Sequence, residues 1–206
     1  MPRKICVVVN SRANYGRIKS VMRAIQEHPD LELQTIVGAS ALLYRFGHAV
    51  DIIRADGFEP SATVYSIVEG ENPTTMAKST GMAIMDLSTQ FENLAPDVVL
   101  TVADRFETIA TAIAASYMNI PVAHTQGGEV TGSIDESVRH AVSKLAHLHF
   151  PATDLAKDYL LRMGEEPVRV HMTGCPAIDL IADLDLSLPD DLFESNKGVG
   201  ATLDTN

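Results

Sequence analysis

Short apolar runs alternate with longer amphipathic stretches along most of this chain. The runs are four to eight residues long and rich in valine and isoleucine, which is typical of strands that are buried on both faces. The pattern predicts seven strands, at residues 5–9, 31–38, 63–67, 97–102, 120–123, 147–150 and 168–173. Apolar positions at helical spacing lie between them. The predicted helices occupy residues 18–28, 74–93, 105–118, 133–145 and 153–163, and residues 41–55 are helical or irregular.

The regular alternation of strand and helix predicts an α/β fold, a doubly wound parallel sheet of the Rossmann-like type with right-handed crossovers. Residues 1–182 form this predicted domain. From Asp183 onward the composition changes to alternating aspartate and leucine and then to small polar residues, which indicates an exposed linker over residues 183–206.

The helix that begins after Ser133 carries an N-terminal capping box. Ser133 is expected to accept from the Glu136 N–H while the Glu136 side chain reaches back. Its predicted buried stripe contains Ile134, Val138, Ala141, Val142 and Leu145. Asp135 and Arg139 lie four residues apart on a different face, so an intrahelical ion pair is an alternative to a role in a site.

Charge and composition limit the classes of partner. The 206-residue chain is 46% hydrophobic and has a formal net charge of -11, which argues against nucleic acid and anionic membrane surfaces as partners. No apolar run approaches the roughly 18 residues of a membrane span, so a cytoplasmic location is expected. A phosphorylated small molecule is compatible with this net charge as a ligand, since its binding needs only a few hydrogen-bond donors close to the phosphate. Cys6 and Cys175 are predicted to be reduced thiols.

Polar residues gather where two predicted strands end. Asp104 and Arg105 follow the strand at 97–102. The segment after the strand at 120–123 contains the larger group: His124, Gln126, Gly127, Gly128, Glu129, Asp135, Arg139 and His140. Because ligands of open parallel sheets bind outside the carboxyl ends of the strands, we expect these side chains to form one site.

The loop after the first predicted strand contains one glycine, whereas a dinucleotide-binding fingerprint has three, so the sequence argues against that kind of site. Arg12 lies in this loop and is either a candidate anion ligand or a surface arginine.

Five segments resemble the hydrolysing UDP-N-acetylglucosamine 2-epimerases of sialic-acid biosynthesis. They are Ser11-Arg-Ala-Asn-Tyr15, Asp104-Arg-Phe-Glu107, Gly127-Gly-Glu-Val-Thr-Gly-Ser-Ile-Asp-Glu-Ser-Val-Arg-His-Ala141, Lys144-Leu-Ala-His-Leu-His149 and Gly174-Cys-Pro176. The resemblance spans residues 5 to about 182. It implies the N-terminal half of a two-domain fold of the glycosyltransferase-B type, in which a second domain supplies most uridine and diphosphate contacts. It also implies a homo-oligomer, for which the methionine-rich helix at 74–93 is a candidate contact surface.

The reaction implied by the resemblance is elimination of UDP across C1 and C2 of the sugar, followed by hydration to N-acetylmannosamine. It requires no metal or redox cofactor. Asp104, Glu129 and Asp135 are the candidate acids and bases. The candidate substrate-binding residues are Arg12, Arg105, His124, Gln126, Gly127, Gly128, Arg139 and His140.

One departure and several alternatives accompany this resemblance. Gln126 stands where relatives commonly have a glutamate used in acid–base chemistry, and an amide does not transfer protons in that way. The alternatives are a related UDP-diacetamido-sugar epimerase, a non-hydrolysing 2-epimerase, a glycosyltransferase domain and a non-catalytic sugar-nucleotide-binding domain. His140, His147 and His149 are expected to be structural rather than a metal cluster, since their placement points them apart.

Overall fold

A computed structural model of the chain describes residues 1–102 and 105–182. The described residues contain one six-stranded sheet in which every neighbouring pair is parallel. Its strands are β1 (Arg3–Val9), β2 (Leu31–Gly38), β3 (Ala62–Val64), β4 (Val98–Val102), β5 (Val122–Thr125) and β6 (Leu148–Phe150). The spatial order β3-β2-β1-β4-β5-β6 reverses direction between β1 and β4. This topology confirms the predicted doubly wound Rossmann-like sheet.

Helices cover both faces of the sheet. They are α1 (Arg12–Gly16), α2 (Lys19–Glu27), α3 (Ala49–Ala55), α4 (Pro73–Leu94), α5 (Thr108–Tyr117), α6 (Ile134–Leu145), α7 (Asp154–Arg162) and α8 (Pro176–Ala182). Short 3-10 turns occur at Ala39–Leu42, Tyr44–Phe46 and Pro167–Arg169. Among the described residues, none of these helices combines the length and apolarity that a membrane span requires.

The central strand β1 divides two apolar layers, because successive side chains of a strand point to opposite faces. Val7 and Val9 pack with Met22 of α2 on one face. Cys6 and Val8 pack with Phe91 of α4 on the other. Burial raises the pKa of the Cys6 thiol to about 12, so Cys6 is a neutral core side chain.

Several sequence predictions are wrong in detail. The seventh strand is absent from the described residues: 167–169 form a 3-10 turn, and Val170 alone makes a bridge to His149 of β6. Helix α8 begins at Pro176, where a strand end was expected. Ile134 is exposed at the start of α6 rather than part of its buried stripe. The predicted linker at 183–206 lies outside the described residues and stays a prediction.

The start of α6 is capped differently from the prediction. The Ser133 hydroxyl accepts from the backbone N–H of Asp135 at 3.2 Å rather than from that of Glu136. The Glu136 carboxylate accepts from the backbone N–H groups of Thr131 and Gly132, at 2.8 and 2.6 Å. These two bonds lower the pKa of Glu136. Glu136 therefore holds the loop before α6 as well as the helix terminus.

Candidate functional site

The polar cluster predicted from the sequence lies at the carboxyl edge of the sheet, next to the point where the strand order reverses. The loops after β1, β4 and β5 meet there, because these three strands are neighbours in the sheet. Asp104, one of the predicted acids, lies outside the described residues. The described part of the site is built mainly from the end of β5, from α6 and from the loop that joins them.

His124 lies in buried strand β5, one residue before the strand ends at Thr125, and its side chain contacts helix α6. Its Nδ1 lies 3.2 Å from the hydroxyl oxygen of Ser143, and the side chain has no solvent exposure. Gly127 completes this contact, since a Cβ there would lie 2.8 Å from Ser143 Oγ and 2.9 Å from His124 Nδ1. The pair therefore requires glycine at position 127. Ser143 was not singled out from the sequence, although its spacing of four from Arg139 places both on one helix face.

Gly128 brings the same loop against helix α7. Its φ is +83°, and a Cβ there would lie 2.1 Å from the backbone oxygen of Ala156. No side chain fits at that distance, so the backbone of the loop packs directly on the helix. Gly127 and Gly128 thus fix the position of the residues that follow them, in particular Glu129.

Gln126 occupies a left-handed backbone conformation, φ +59°, and is buried. Its Oε1 accepts from Arg17 Nη1 at 3.2 Å, and its Nε2 donates to Cys175 Sγ at 3.1 Å. The amide therefore joins the segment between α1 and α2 to the segment before α8. A glutamate at this position would keep the first contact but could not donate to the sulfur. Sequence patterns gave no signal for Arg17 or Cys175 as partners.

Arg139 connects helix α6 to the loop after β5. It is one of the largest fully buried side chains, and its Nη1 donates to the backbone carbonyl of Glu129 at 2.5 Å. Glu129 and Asp135 are both partly exposed residues. The structure therefore brings the Glu129 backbone and Arg139 together.

His140 and Arg12 lie at the margin of this cluster. His140 Nε2 is 3.9 Å from Oε1 of Glu136, which lies one turn earlier in α6. Arg12 opens helix α1 and is exposed, with a guanidinium nitrogen 3.8 Å from where a Cβ on Gly47 would lie. The structure leaves both as open candidates for substrate contact.

Arg105 is held in place by a carboxylate from its own loop. Its Nε and Nη2 donate to the two oxygens of Glu107, at 3.2 and 3.3 Å, and Glu107 is only 2% exposed. This bidentate geometry fixes the guanidinium plane. Arg105 also lines a cavity of about 480 Å³, together with residues of the loops after β2 and β3.

The two remaining histidines of interest have separate partners. The His147 Nδ1 accepts from the backbone N–H of Val122 at 3.2 Å. His149 is buried in β6 with its Nε2 3.1 Å from Glu165 Oε2, and Lys144 Nζ contacts the other oxygen at 2.7 Å. Burial lowers the pKa of His149 and outweighs the opposite effect of Glu165, whose charge Lys144 partly offsets. Within residues 1–102 and 105–182, no three histidine, cysteine or carboxylate side chains are grouped as a metal site.

Comparison with known proteins agrees with this architecture. The chain is 39% identical to the UDP-N,N'-diacetylbacillosamine 2-epimerase (hydrolyzing) of Legionella pneumophila, over 96% of this chain and 52% of that protein. It is 35% identical to the GDP/UDP-N,N'-diacetylbacillosamine 2-epimerase (hydrolyzing) of Campylobacter jejuni, over 92% of this chain and 50% of that protein. The chain therefore spans about half the length of these curated relatives.

A solved structure shows the same fold. The crystal structure of UDP-GlcNAc 2-epimerase from Neisseria meningitidis bound to UDP-GlcNAc superposes with a TM-score of 0.78 at 23% identity, over 87% of this chain and 49% of that chain. The sequence profile of the UDP-N-acetylglucosamine 2-epimerase family matches residues 23–200. With the profile covering most of the sequence, the chain belongs to the UDP-N-acetylglucosamine 2-epimerase family.

Proposed function

We propose that this chain forms the N-terminal half of a hydrolysing 2-epimerase that acts on UDP-N-acetylglucosamine. The observation that carries the proposal is the bond from buried Arg139 to the Glu129 carbonyl, because it fixes the backbone of Glu129, a partly exposed residue at the carboxyl edge of the sheet. Family membership supports the sugar-nucleotide class of substrate. A second domain, facing this edge, completes the proposed cleft.

The proposed reaction has two steps. A carboxylate removes the C2 proton while the C1–O bond to the diphosphate breaks, which releases UDP and leaves a C1=C2 double bond. Water then adds across this bond, with oxygen to C1 and a proton to the opposite face of C2. The product is N-acetylmannosamine. The C2 hydrogen is weakly acidic, so the step needs a positioned base and stabilisation of the leaving diphosphate.

Glu129, Asp135 and Asp104 are the proposed proton-transfer groups. Glu129 follows the glycine loop, and Asp135 lies in the first turn of α6, so both carboxylates are carried by backbone that Gly128 and Ser133 fix in place. The assignment of Asp104 rests on the sequence resemblance. Gln126 has a positioning role in this proposal, since its amide is bonded to Arg17 and Cys175 and does not act as a base.

Binding of the nucleotide is shared with the other domain in this proposal. Arg12 and Arg105 are the proposed contacts to the diphosphate, and His140 is a proposed contact to the sugar. His124, Gly127, Gly128 and Arg139 are buried, so in this proposal they support the loop after β5 rather than touch the sugar. The proposed protein is a homo-oligomer, and Met82 and Met85 of α4 are exposed where subunits could meet. The cytoplasmic location expected from the sequence stays a prediction.

A second candidate substrate is a UDP-linked diacetamido sugar. The two relatives with 39% and 35% identity are both named for UDP-N,N'-diacetylbacillosamine, and this supports the same chemistry on a sugar with different C4 and C6 substituents. The elimination at C1 and C2 is unchanged. The two candidates differ only in which groups surround the far side of the sugar ring.

The test uses the two-domain protein that the proposal requires, with UDP-N-acetylglucosamine or the diacetamido sugar nucleotide as substrate in deuterated water. We expect UDP release together with a free 2-epimer that carries one solvent deuterium at C2. The better substrate is the one with the higher kcat/KM. Release of UDP with retained C2 configuration, or no release from either substrate, would overturn the proposal.

The 206-residue chain by itself provides a second test. We expect it to bind UDP weakly, because the main nucleotide contacts belong to the other domain in this proposal. Calorimetry should therefore give a dissociation constant well above about 1 μM. Low-micromolar or tighter binding would show that the nucleotide site lies within this chain.

A further inference from the structure

A buried hydrogen bond between β5 and α6 supports the loop that leaves β5. It joins Ser143 Oγ to His124 Nδ1 at 3.2 Å, and neither residue has any solvent exposure. Gly127 lies against this pair, since a Cβ on Gly127 would be 2.8 Å from Ser143 Oγ and 2.9 Å from His124 Nδ1. The backbone of the loop therefore packs on the hydrogen bond itself.

The direction of this bond follows from what the Ser143 hydroxyl can reach. Among the residues that the structure describes, the hydrogen-bond partner of Ser143 Oγ is His124 Nδ1. If Nδ1 carried a hydrogen and donated it, the hydroxyl hydrogen would be buried without an acceptor, which is costly. If the hydroxyl donates, its hydrogen is paired, and only lone pairs of the serine oxygen stay unused. The geometry therefore favours Ser143 as the donor and an unprotonated Nδ1.

An unprotonated Nδ1 defines the state of the whole imidazole ring. It excludes the imidazolium form, and it places the one ring hydrogen of neutral histidine on Nε2. This tautomer presents a hydrogen-bond donor at Nε2, whereas the other tautomer would present an acceptor there. Ser143 thus sets the hydrogen-bonding character of His124, a side chain near the carboxyl end of β5.

The same face of α6 holds the loop at a second point. Arg139 lies four residues before Ser143, and its guanidinium donates to the backbone carbonyl of Glu129. Residues four apart in a helix share a face, so these two side chains act on the two ends of segment 127–129. The position of the Glu129 backbone relative to α6 therefore depends on both contacts.

We propose that Ser143 is a positioning residue for the proposed reaction. Its hydroxyl donates to His124 Nδ1, holds the imidazole as the Nε2–H tautomer and keeps the loop that carries Glu129 in place. This inference deepens the proposed function and rests on it for the effect on turnover, whereas the tautomer is independent of it. A displacement of about 1 Å by a change away from the reacting groups can cost about a hundredfold in rate. Loss of the hydroxyl should therefore lower turnover more than substrate binding.

The first test is NMR of the 206-residue chain with isotope-labelled histidine, because the shifts of the two ring nitrogens identify the tautomer. We expect wild-type His124 to carry its hydrogen on Nε2. In Ser143→Ala the Nδ1 resonance loses its donor and should shift, together with the backbone amide signal of Gly127. Ser88→Ala is the matched control, because Ser88 is also a helix serine and its hydroxyl donates to the Ile84 carbonyl within α4. It should leave both signals unchanged.

The second test measures kinetics in the two-domain protein. We expect Ser143→Ala to lower kcat by about ten- to a hundredfold and to keep KM within about threefold of the wild-type value. Ser88→Ala should match the wild type in both. Arg139→Lys combined with Ser143→Ala should cost less than the product of the two separate losses, because both changes act through the position of one loop. Losses that simply multiply would overturn this shared action.

The outcomes separate this inference from the proposed function. A hydrogen on Nδ1 of wild-type His124, or an Nδ1 resonance that Ser143→Ala leaves unmoved, would overturn the assigned bond whatever reaction the protein performs. An unchanged kcat in Ser143→Ala, with the expected spectra, would overturn the positioning role and leave the proposed function standing. Absence of UDP release by the wild-type two-domain protein would overturn the proposed function and the positioning role with it, but not the tautomer.

Discussion

Arg139 Nη1 donates to the backbone carbonyl of Glu129, ten residues earlier in the chain, at 2.5 Å. The bond joins helix α6 to the loop that leaves β5, and Arg139 is only 1% exposed. A buried guanidinium bonded to a carbonyl fixes the direction of that backbone. Since α6 carries Asp135 in its first turn, one side chain sets the distance between the loop and helix that hold two proposed proton-transfer groups.

Replacing Arg139 by lysine tests this bond. Arg139→Lys keeps the charge but loses the planar fork, so the carbonyl of Glu129 loses its aligned donor inside the protein. We expect the free energy of unfolding to fall by about 1–3 kcal/mol in urea titrations. Arg54→Lys is the control, because the Arg54 contact with Glu59 is at the surface and should change stability by less than about 0.5 kcal/mol. Equal losses in the two variants would contradict the role given to Arg139.

Gly128→Ala and Gly132→Ala form a matched pair. Both glycines have positive φ, +83° and +71°, so alanine is strained at either position. A Cβ at Gly128 would meet the Ala156 backbone at 2.1 Å, whereas a Cβ at Gly132 has nothing within 4 Å. We expect Gly132→Ala to cost about 1 kcal/mol and Gly128→Ala at least twice as much, measured by thermal and urea unfolding. Similar values would show that the approach to α7 does not constrain the loop.

His149 should make stability depend on pH. Its pKa is lowered in the folded protein by burial, so between the ordinary value of 6.5 and that lowered pKa the unfolded chain binds more protons. The contribution of neutral His149 to the free energy of unfolding is therefore fully present above pH 6.5, and it is lost as the pH decreases through this window. Glu165, Lys144 and Arg169 are the charged groups that act on the imidazole.

The measurement is urea unfolding from about pH 7.5 down to about pH 5.5. His149→Gln removes the titrating group and should flatten this part of the profile. His28→Gln, at an exposed position after α2, is the matched control for the substitution itself. An unchanged slope in His149→Gln would rule out His149 as the source of the pH dependence.

The sequence predicted the sheet well because strands buried on both faces are apolar without interruption, as in residues 5–9. The same reasoning failed at residues 168–173, where Val168 and Val170 alternate with polar residues as in a strand. Pro167 instead begins a 3-10 turn, and the contact with β6 is limited to a bridge between Val170 and His149 and a bond from the His171 N–H to the His149 carbonyl at 2.8 Å. The alternation of apolar and polar residues indicates that a segment can pair as a strand. It does not show whether the neighbouring strand is long enough to pair with that segment.

The sequence predicted that the loop residues after β5 lie at the carboxyl edge of the sheet, but it did not predict their contacts, and their role as a site stays a prediction. Residues after β5 were expected at the carboxyl edge because chain order and parallel pairing place them there. The bonds from Gln126 to Arg17 and Cys175 span 109 and 49 residues of sequence. Such contacts depend on how the loops pack against the folded sheet, and the local periodicity of apolar residues does not predict that packing.

The proposed proton-transfer groups are tested by changing each acid to its amide in the two-domain protein. Asp104→Asn and Asp135→Asn should each lower turnover by at least about a hundredfold while UDP affinity stays nearly constant, because general acid–base groups typically contribute 10²- to 10⁴-fold. Glu129→Gln should do the same if Glu129 performs the role that Gln126 cannot. Asp158→Asn, exposed on α7, is the matched control and should retain full activity. UDP release and deuterium incorporation at C2 are the readouts. Near-normal turnover in both aspartate variants would remove Asp104 and Asp135 from the mechanism, and would leave Asp135 as a helix N-terminal residue beside Ser133.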